Sequence, residues 1–285
     1  MKMENALELN NVVKHYGDFT LDRVSLALPR GCVMGFIGEN GAGKTTAIKA
    51  ILNLIATDGG EIRLLGQDWK TFHQWEKIGY VPDSCRFPGP LTVAAMEKTL
   101  GLLYPTWDSN AFQRYLKEFG IDPKKKIKDL SRGTGMKLSI AVALSHQAEL
   151  LILDEATSGL DPVVRDEILD LFREFILDER HAVFMSSHIV SDLERICDYI
   201  ALLHKGKLEF CKEKDELLAE YALVRCSQEQ LKDIDPAAIE GLRRHEFGVD
   251  ALVLLDKVNP AFHLERVSLE DIMVFHYKEE KRCWD

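Results

Sequence analysis

The sequence predicts an α/β protein built around a parallel β-sheet, and three observations support this fold class. A glycine-rich run at residues 38–46 lies between a solid apolar strand and a helix. Two further apolar runs, residues 150–153 and 181–186, end in polar residues, and each precedes a helical pattern. Strands of a parallel sheet are apolar throughout because helices cover both faces of the sheet.

The N-terminal part of the chain is predicted to be mainly β-structure. Leu7 and Leu9 begin an alternating apolar pattern, which is typical of a strand with one buried face. The predicted strands of this part are residues 7–15, 19–28, 33–37, 61–65 and 78–82. A helix is predicted at residues 46–54, directly after the glycine-rich run.

From about residue 87 to residue 146 the pattern becomes helical. Apolar residues recur three and four positions apart in residues 91–103 and 109–119, and prolines break the region into pieces. The sequence therefore predicts a helical subdomain inserted into the α/β domain.

The remaining chain returns to mixed structure and then changes character near Tyr221. Before that point, helices are predicted at 163–176 and 189–197 and strands at 200–203 and 207–210. After it we predict a strand at 221–226, a broken helix at 228–239, a hairpin at 242–247 and 251–256, and a last helix at 268–277. The predicted domains are residues 1–220 and a small α+β C-terminal region, residues 221–285.

Composition narrows the class of protein. The chain has 285 residues, of which 46% are hydrophobic and 29% charged, and its formal net charge is −10. The acidic balance argues against a nucleic-acid footprint. The six cysteines form no C-x-x-C pair, no apolar run reaches about 18 residues, and the start has no signal-peptide pattern. These features predict a cytosolic protein with reduced thiols.

The glycine-rich run fits the phosphate-binding pattern G-x-x-x-x-G-K-[ST]. Glycines let backbone N–H groups turn inward toward phosphate oxygens, and the next helix points its positive end at them. Lys44 would add a charge for the β- and γ-phosphates, and the Thr45 hydroxyl would ligate Mg²⁺. The predicted nucleotide-binding residues of this loop are Gly38, Asn40, Gly41, Ala42, Gly43, Lys44, Thr45 and Thr46.

Polar residues end the next two buried strands. Asp154 and Glu155 follow one of them, at the sheet edge where ligands bind, so we expect Asp154 in a Mg²⁺ shell and Glu155 beside the attacking water. His188 follows the other and would contact the γ-phosphate or the water. Local features alone favour a structural histidine at a strand end over this role.

Together these residues resemble the ATP-binding cassette (ABC) ATPases over roughly residues 5 to 220. Residues 130–135 look like the family signature, residues 151–155 the Walker-B strand and residues 158–161 the D-loop. The resemblance implies a P-loop NTPase fold: a RecA-like parallel core, an antiparallel β subdomain and an inserted helical subdomain. It further implies that Tyr16 stacks on adenine, that His188 is the switch histidine, and that Glu155, His188 and Lys44 are catalytic.

The family resemblance also implies partners. Ser131 and Gly133 of the signature would face ATP held by a second cassette, a homodimer or heterodimer partner. ATP hydrolysis would then loosen the pair and drive transport, with export implied, through an integral-membrane permease on a separate chain. The protein would be cytoplasmic and peripheral on the inner face of the cell membrane, with ATP and Mg²⁺ as cofactors and no nucleic acid as partner.

Several positions depart from the family pattern. Arg132 and Thr134 interrupt the signature, Ala156 replaces a usual proline, and Asp83 stands where glutamine is usual. Asp83 can ligate Mg²⁺ as a hard oxygen donor, or it is a plain loop residue. The resemblance is to bacterial single-cassette subunits of multidrug, peptide-antibiotic or acetoin-type systems.

Two alternatives stay open from the sequence. A soluble ABC ATPase acting on DNA or ribosomes would normally carry a coiled-coil insertion or two cassettes, and neither is seen in this sequence. A P-loop kinase or GTPase would leave the signature and D-loop unexplained. For residues 221–285, both packing or dimer support and effector binding remain possible.

Overall fold

The computed structural model describes residues 4–259 and 262–277. The chain divides into two compact units, residues 1–211 and 212–285. The structural division falls at residue 211, whereas the sequence pattern placed its boundary at residue 220. The segment between these two positions is mostly a short helix that the sequence pattern did not predict.

The first unit alternates strands and helices as the sequence predicted. In chain order its elements are β1 Asn5–Tyr16, β2 Phe19–Pro29, β3 Val33–Ile37, α1 Lys44–Ile51, β4 Gly59–Leu64, β5 Gln67–Asp68, β6 Ile78–Val81, α2 Val93–Leu103, α3 Ser109–Glu118, α4 Arg132–Leu144, β7 Leu150–Asp154, α5 Pro162–Phe175, β8 Ala182–Ser187, α6 Val190–Ile196, β9 Tyr199–His204 and β10 Lys207–Glu213. Single turns of 3-10 helix lie at Trp75–Lys77 and Ile127–Asp129. Helix α1 begins two residues earlier than the sequence pattern suggested.

A six-stranded sheet with the order β10-β9-β3-β8-β7-β6 forms the core of this unit. Strands β9, β3, β8, β7 and β6 pair in parallel along the sheet. Residues of β3, β7 and β8 are all buried, and the rings of Phe36 and Phe184 lie 5.2 Å apart between neighbouring strands. The carboxyl ends of β3, β8, β7 and β6 therefore meet along one edge.

A second, antiparallel sheet packs into the same hydrophobic core. Its order is β2-β1-β4-β5, and β1 pairs antiparallel with both β2 and β4. Apolar residues of β1, β2 and β4 share one cluster with residues of β3, α1 and β8. This sheet corresponds to the antiparallel β subdomain that the family resemblance implies.

Helices α2, α3 and α4 form a region with its own apolar cluster, which includes Phe112, Leu116 and Leu138. The side chain of Thr92 caps α2 by accepting from the Ala95 N–H group at 3.2 Å. Caps of this kind satisfy N–H groups that have no partner inside the helix. The predicted helical character of residues 87–146 thus appears as three capped helices.

The second unit is built around a four-stranded sheet. Its elements are α7 Lys214–Glu220, β11 Tyr221–Cys226, β12 Ile239–His245, β13 Gly248–Leu254, β14 Leu264–Arg266 and α8 Leu269–Tyr277. The strand order is β12-β13-β11-β14, with antiparallel pairing throughout. The predicted broken helix is two separate 3-10 turns, Gln230–Asp233 and Pro236–Ala238, because Pro236 lacks the N–H group that a continuing helix needs.

Within residues 4–259 and 262–277, no helix combines the length and apolar character needed to cross a bilayer.

Candidate nucleotide-binding site

The glycine-rich loop connects β3 to α1 at the carboxyl edge of the parallel sheet. Gly41 and Gly43 have φ angles of 86° and 110°, a region that side chains rarely adopt. A Cβ atom on Gly43 would lie 2.5 Å from Cζ of Phe19, so the ring closes tightly over the loop. Helix α1 starts at the next residue, which aims its free N–H groups into the loop.

Lys44 is held inside this loop. Its side chain is only 6% exposed, and Nζ donates to the Gly38 carbonyl oxygen at 2.6 Å. Nζ also lies 3.3 Å from Oε1 of Glu155. The ammonium group is therefore positioned between the loop backbone and the end of β7, where a phosphate oxygen would replace part of these contacts.

Asp154 is the last residue of β7 and is buried, with 5% of its surface exposed. The Ser186 hydroxyl donates to its Oδ1 at 2.8 Å. Burial is the largest effect and raises the pKa of Asp154, while hydrogen bonds from Ser186 and Thr45 act in the opposite direction. A buried carboxylate whose charge is incompletely compensated is a favourable site for a cation.

Glu155 follows with an unusual backbone. Its φ angle is 55°, which is uncommon for a residue with a side chain. The conformation is held by its N–H group, which donates to the carbonyl oxygen and the hydroxyl of Ser186 at 3.1 Å each. The carboxylate lies between Lys44 and Nδ1 of His188, with which it forms a short contact. Such strain is found where the surrounding structure fixes a functional side chain.

The loop and the strand ends surround an open cleft of about 450 Å³. Most predicted site residues line it: Asn40, Gly41, Gly43, Lys44, Thr45, Thr46, Asp83, Glu155 and His188. Four residues line it that the sequence reasoning did not assign to nucleotide binding: Phe19, Glu39, Arg132 and Ser158. A sequence signal for Phe19 was available, since it is an aromatic residue at the start of β2, three positions after Tyr16.

Other predicted residues lie outside the lining of the cleft. Tyr16 ends β1 and is 47% exposed, with Nζ of Lys14 located 5.3 Å from its ring centre. Gly38 and Ala42 pack closely together, since a Cβ atom on Gly38 would lie 3.0 Å from Cβ of Ala42, and Ala42 and Asp154 are each 5% exposed. Tyr16 is thus a half-exposed ring at the surface, while Phe19 is the aromatic that lies against the loop at Gly43.

The signature residues begin helix α4. Ser131 is its N-cap, and its hydroxyl accepts from the Thr134 N–H group at 3.2 Å. Gly133 lies in the first turn of the helix. Neither residue lines the cleft of its own chain, whereas Arg132 between them does.

Asp83 follows β6 at the same edge of the sheet. Its Oδ1 accepts from Nη2 of Arg86 at 2.9 Å and from the Ser84 hydroxyl at 3.1 Å. The hydrogen bond from Arg86 is the main cause that lowers the pKa of Asp83. The carboxylate is therefore ionised near neutral pH, and Arg86 competes with any metal ion for it.

The oxygen donors at this edge fit Mg²⁺. Asp154 offers a buried carboxylate, Thr45 a hydroxyl hydrogen-bonded to it, and Asp83 a second carboxylate that lines the cleft. Among the described residues no group of three or more His, Cys, Asp and Glu could hold a metal alone. Mg²⁺ usually binds through one or two carboxylates, waters and substrate phosphates, which the oxygen donors of Asp154, Thr45 and Asp83 would allow.

Comparison with known proteins identifies the family. A model of the ABC transporter family matches residues 21–158. The bacitracin transport ATP-binding protein BcrA of Enterococcus faecalis is 35% identical over 213 residues, which cover 73% of this chain and 69% of the relative. The chain belongs to the ABC transporter family. The expected cassette fold and the family resemblance are both confirmed.

Two further similarities agree with this. The lantibiotic transport ATP-binding protein SrtF of Streptococcus pyogenes is 32% identical over 212 residues, covering 73% of this chain and 91% of the relative. A solved ATP-binding subunit of an ABC transporter aligns with a TM-score of 0.68 and 26% identity, over 74% of this chain and 91% of that one. The protein is thus an ATP-binding, ATP-hydrolysing subunit of an ABC transporter.

Proposed function

We propose that this ABC subunit binds Mg·ATP in the cleft at the carboxyl edge of its parallel sheet and cleaves it with Glu155 as the general base. The observation that carries this proposal is the Glu155 carboxylate, which is fixed between Lys44 and His188 beside the phosphate loop. A carboxylate in this position can orient a water molecule and accept its proton.

Different residues of the cleft would bind the phosphates, the Mg²⁺ ion and the adenine. The loop N–H groups from Asn40 to Thr46 hold the phosphates, and Lys44 binds the β- and γ-phosphate oxygens. Thr45, Asp154 and Asp83 would hold Mg²⁺, which supplies charge neutralisation on the phosphates when bound. Gly38 and Ala42 shape the loop, and Tyr16 offers its ring to the adenine.

The bond changes are those of a phosphoryl transfer to water. The water oxygen attacks the γ-phosphorus, its proton goes to Glu155, and the bond between the γ-phosphorus and the bridging oxygen breaks to leave ADP and phosphate. Nδ1 of His188 steadies the Glu155 carboxylate, since the two side chains are in direct contact. Lys44 offsets the charge that develops on the phosphate oxygens.

The proposed working unit contains two cassettes. Ser131 and Gly133 lie at the start of α4 and outside the lining of their own cleft, so they are available to a nucleotide bound by a second cassette. A helix start offers free N–H groups to an anion. ATP would then bind the closed pair better than the open pair, and hydrolysis would reopen it.

We propose that closing and opening of this pair drives export through a permease on a separate chain, at the inner face of the cell membrane. The related BcrA and SrtF, named for transport of bacitracin and of a lantibiotic, favour a peptide antibiotic as cargo. Co-purification of the chain with a polytopic membrane protein would support this assignment. Recovery with ribosomes or DNA would contradict it.

The hydrolysis proposal is tested by Glu155→Gln. This variant should retain ATP and accumulate as a nucleotide-bound dimer, while phosphate release slows by roughly a thousandfold because the base is lost. Glu149→Gln is the matched control, since Glu149 precedes the opposite end of β7 and pairs with Arg30 at 2.9 Å and Lys77 at 2.8 Å. Wild-type turnover in Glu155→Gln would rule out Glu155 as the base.

A further inference from the structure

Arg132 is the first residue of α4 and stands inside the signature motif. Its side chain lines the nucleotide cleft of its own chain, together with Lys44, Glu155, His188 and the D-loop residue Ser158. The signature therefore sends one side chain into this cleft, although its neighbours Ser131 and Gly133 do not line it.

A glycine of the D-loop makes room for the guanidinium group. A Cβ atom on Gly159 would lie 2.7 Å from Nη1 and 2.9 Å from Cζ of Arg132. These distances are too short for non-bonded atoms, so a side chain at residue 159 would displace the guanidinium. Gly159 also has a φ angle of 69°, which glycine adopts without strain. The contact places the charged end of Arg132 between the start of α4 and the D-loop.

Two of the acidic residues that line the cleft, Glu155 and Asp83, are paired with other cations. Glu155 contacts Lys44 and His188, and Asp83 pairs with Arg86. Across the ranges that the structure describes, no carboxylate forms an ion pair with Arg132. Besides the hydrogen bond from Arg86, the Arg132 charge helps to lower the pKa of Asp83, but no hydrogen bond within the described residues occupies the N–H donors of Arg132, so they are available to an anion in the cleft. Arginine binds phosphate oxygens through two parallel hydrogen bonds, which a lysine cannot do.

We propose that Arg132 is a second phosphate-binding cation, which donates to the terminal phosphate of ATP bound in the cleft of its own chain. The inference rests on the proposed function, because it assumes that nucleotide occupies this cleft. Arg132 lines the same cleft as Glu155 and His188, beside which the terminal phosphate would be hydrolysed. The contact would help the site distinguish ATP from ADP and would link nucleotide binding to the position of the signature helix.

Titration of the free chain with two nucleotides tests this contact. The probes are Mg²⁺ with ADP and Mg²⁺ with adenylyl-imidodiphosphate, a non-hydrolysable ATP analogue, at protein concentrations where sedimentation shows a monomer. Arg132→Ala should weaken binding of the analogue by about tenfold, since a charge-assisted hydrogen bond is lost, and leave ADP affinity within about twofold. Arg132→Lys should recover only part of the loss because it keeps the charge without the planar fork.

Two control variants separate the possible failures. Arg114→Ala removes an exposed arginine from α3, whose guanidinium lies 5.3 Å from the Tyr115 ring centre, and should leave both affinities unchanged. Lys44→Ala should weaken both nucleotides. If Arg132→Ala binds the analogue like wild type, or loses affinity only when dimers form, the proposed contact is wrong while the site stands. If Lys44→Ala also binds normally, the nucleotide site itself is misplaced.

Discussion

Two buried aspartates, one in each unit, have pKa values that are shifted in opposite directions. Asp154 ends β7 of the cassette and is 5% exposed, and Asp250 lies in β13 of the C-terminal unit and is 3% exposed. Burial raises the pKa of Asp154, and its hydrogen bonds from Ser186 and Thr45 do not offset this. Asp250 is also penalised by burial, but hydrogen bonds from Arg243 and His245 outweigh the penalty and lower its pKa.

The sheet register explains the compensation around Asp250. On neighbouring strands, Arg225 of β11 and Arg243 of β12 both stand opposite it. Nε of Arg243 donates to Oδ2 at 3.0 Å, and Nε2 of His245 lies 3.3 Å from Oδ1. Charged pairs across strands stabilise a sheet when each buried charge has its partner. The charge of Asp250 is thus compensated by residues of its own unit. The charge of Asp154 would instead be compensated by a bound cation.

The largest expected effect follows from Asp154→Asn. Loss of the carboxylate should lower Mg²⁺-dependent ATP hydrolysis by about a thousandfold, because metal-based charge stabilisation is worth several kcal/mol. The melting temperature of the nucleotide-free protein should stay the same or rise, since a buried charge is removed. A phosphate-release assay and calorimetry on the same sample check both parts, and a clear fall in melting temperature would show that Asp154 is structural.

The next effect is on stability. Asp250→Ala should lower the free energy of unfolding by about 1–2 kcal/mol, because it removes the hydrogen bonds that Arg243 and His245 make to a buried carboxylate, while both of these side chains are partly exposed to water. Urea unfolding followed by circular dichroism measures this change. Asp256→Ala, at an exposed position just after β13, should change stability by no more than about 0.5 kcal/mol. Equal losses of unfolding free energy in Asp250→Ala and Asp256→Ala would show that the buried, hydrogen-bonded Asp250 contributes no more to stability than an exposed aspartate.

Titration of stability with pH should separate the two aspartates by sign. The lowered pKa of Asp250 means that its stabilising contribution is present above the unfolded value of about 3.9 and is lost as pH falls through the folded pKa. Wild type should therefore be more stable than Asp250→Asn at pH 7, with the gap closing in acid.

For Asp154 the raised pKa reverses this relation. Its contribution is present below the unfolded pKa and is lost as pH rises through the folded pKa, so Asp154→Asn should exceed wild type in stability at pH 7 and match it in acid. Urea unfolding between pH 7 and pH 3 follows both gaps. If both Asn variants are less stable than wild type at pH 7, or both are more stable, the opposite pKa shifts of the two aspartates are contradicted.

The smallest expected effect concerns a surface pair near Asp250. Nη1 of Arg225 lies 3.4 Å from Oε2 of Glu265, and the arginine side chain is 60% exposed. Glu265→Gln should change the free energy of unfolding by less than about 1 kcal/mol, because solvent screens such pairs. If Glu265→Gln lowers the free energy of unfolding as much as Asp250→Ala does, then Glu265 on the edge strand β14 belongs to the same stabilising network as Asp250.

Much of the cassette could be predicted from local patterns. Buried strands such as β3 and β7 are continuous apolar runs, and their bounds in the sequence and the structure agree within one residue. Helix α7 was missed because its residues are mostly charged and only Leu217 is buried. Strand β14 was missed because its three residues are too few to show an alternating apolar pattern. It is formed by antiparallel pairing with β11.

The sequence by itself determined which residues are candidates for the chemistry of the site: a phosphate loop with Lys44, an Asp-Glu pair after a buried strand, and His188 after another. Motifs reveal this because their spacing is local. Only the tertiary structure decided the strand order, the contact of Glu155 with both Lys44 and His188, and the entry of Arg132 into the cleft past Gly159. These contacts join residues far apart in the chain, so they depend on packing and register, which no local pattern records.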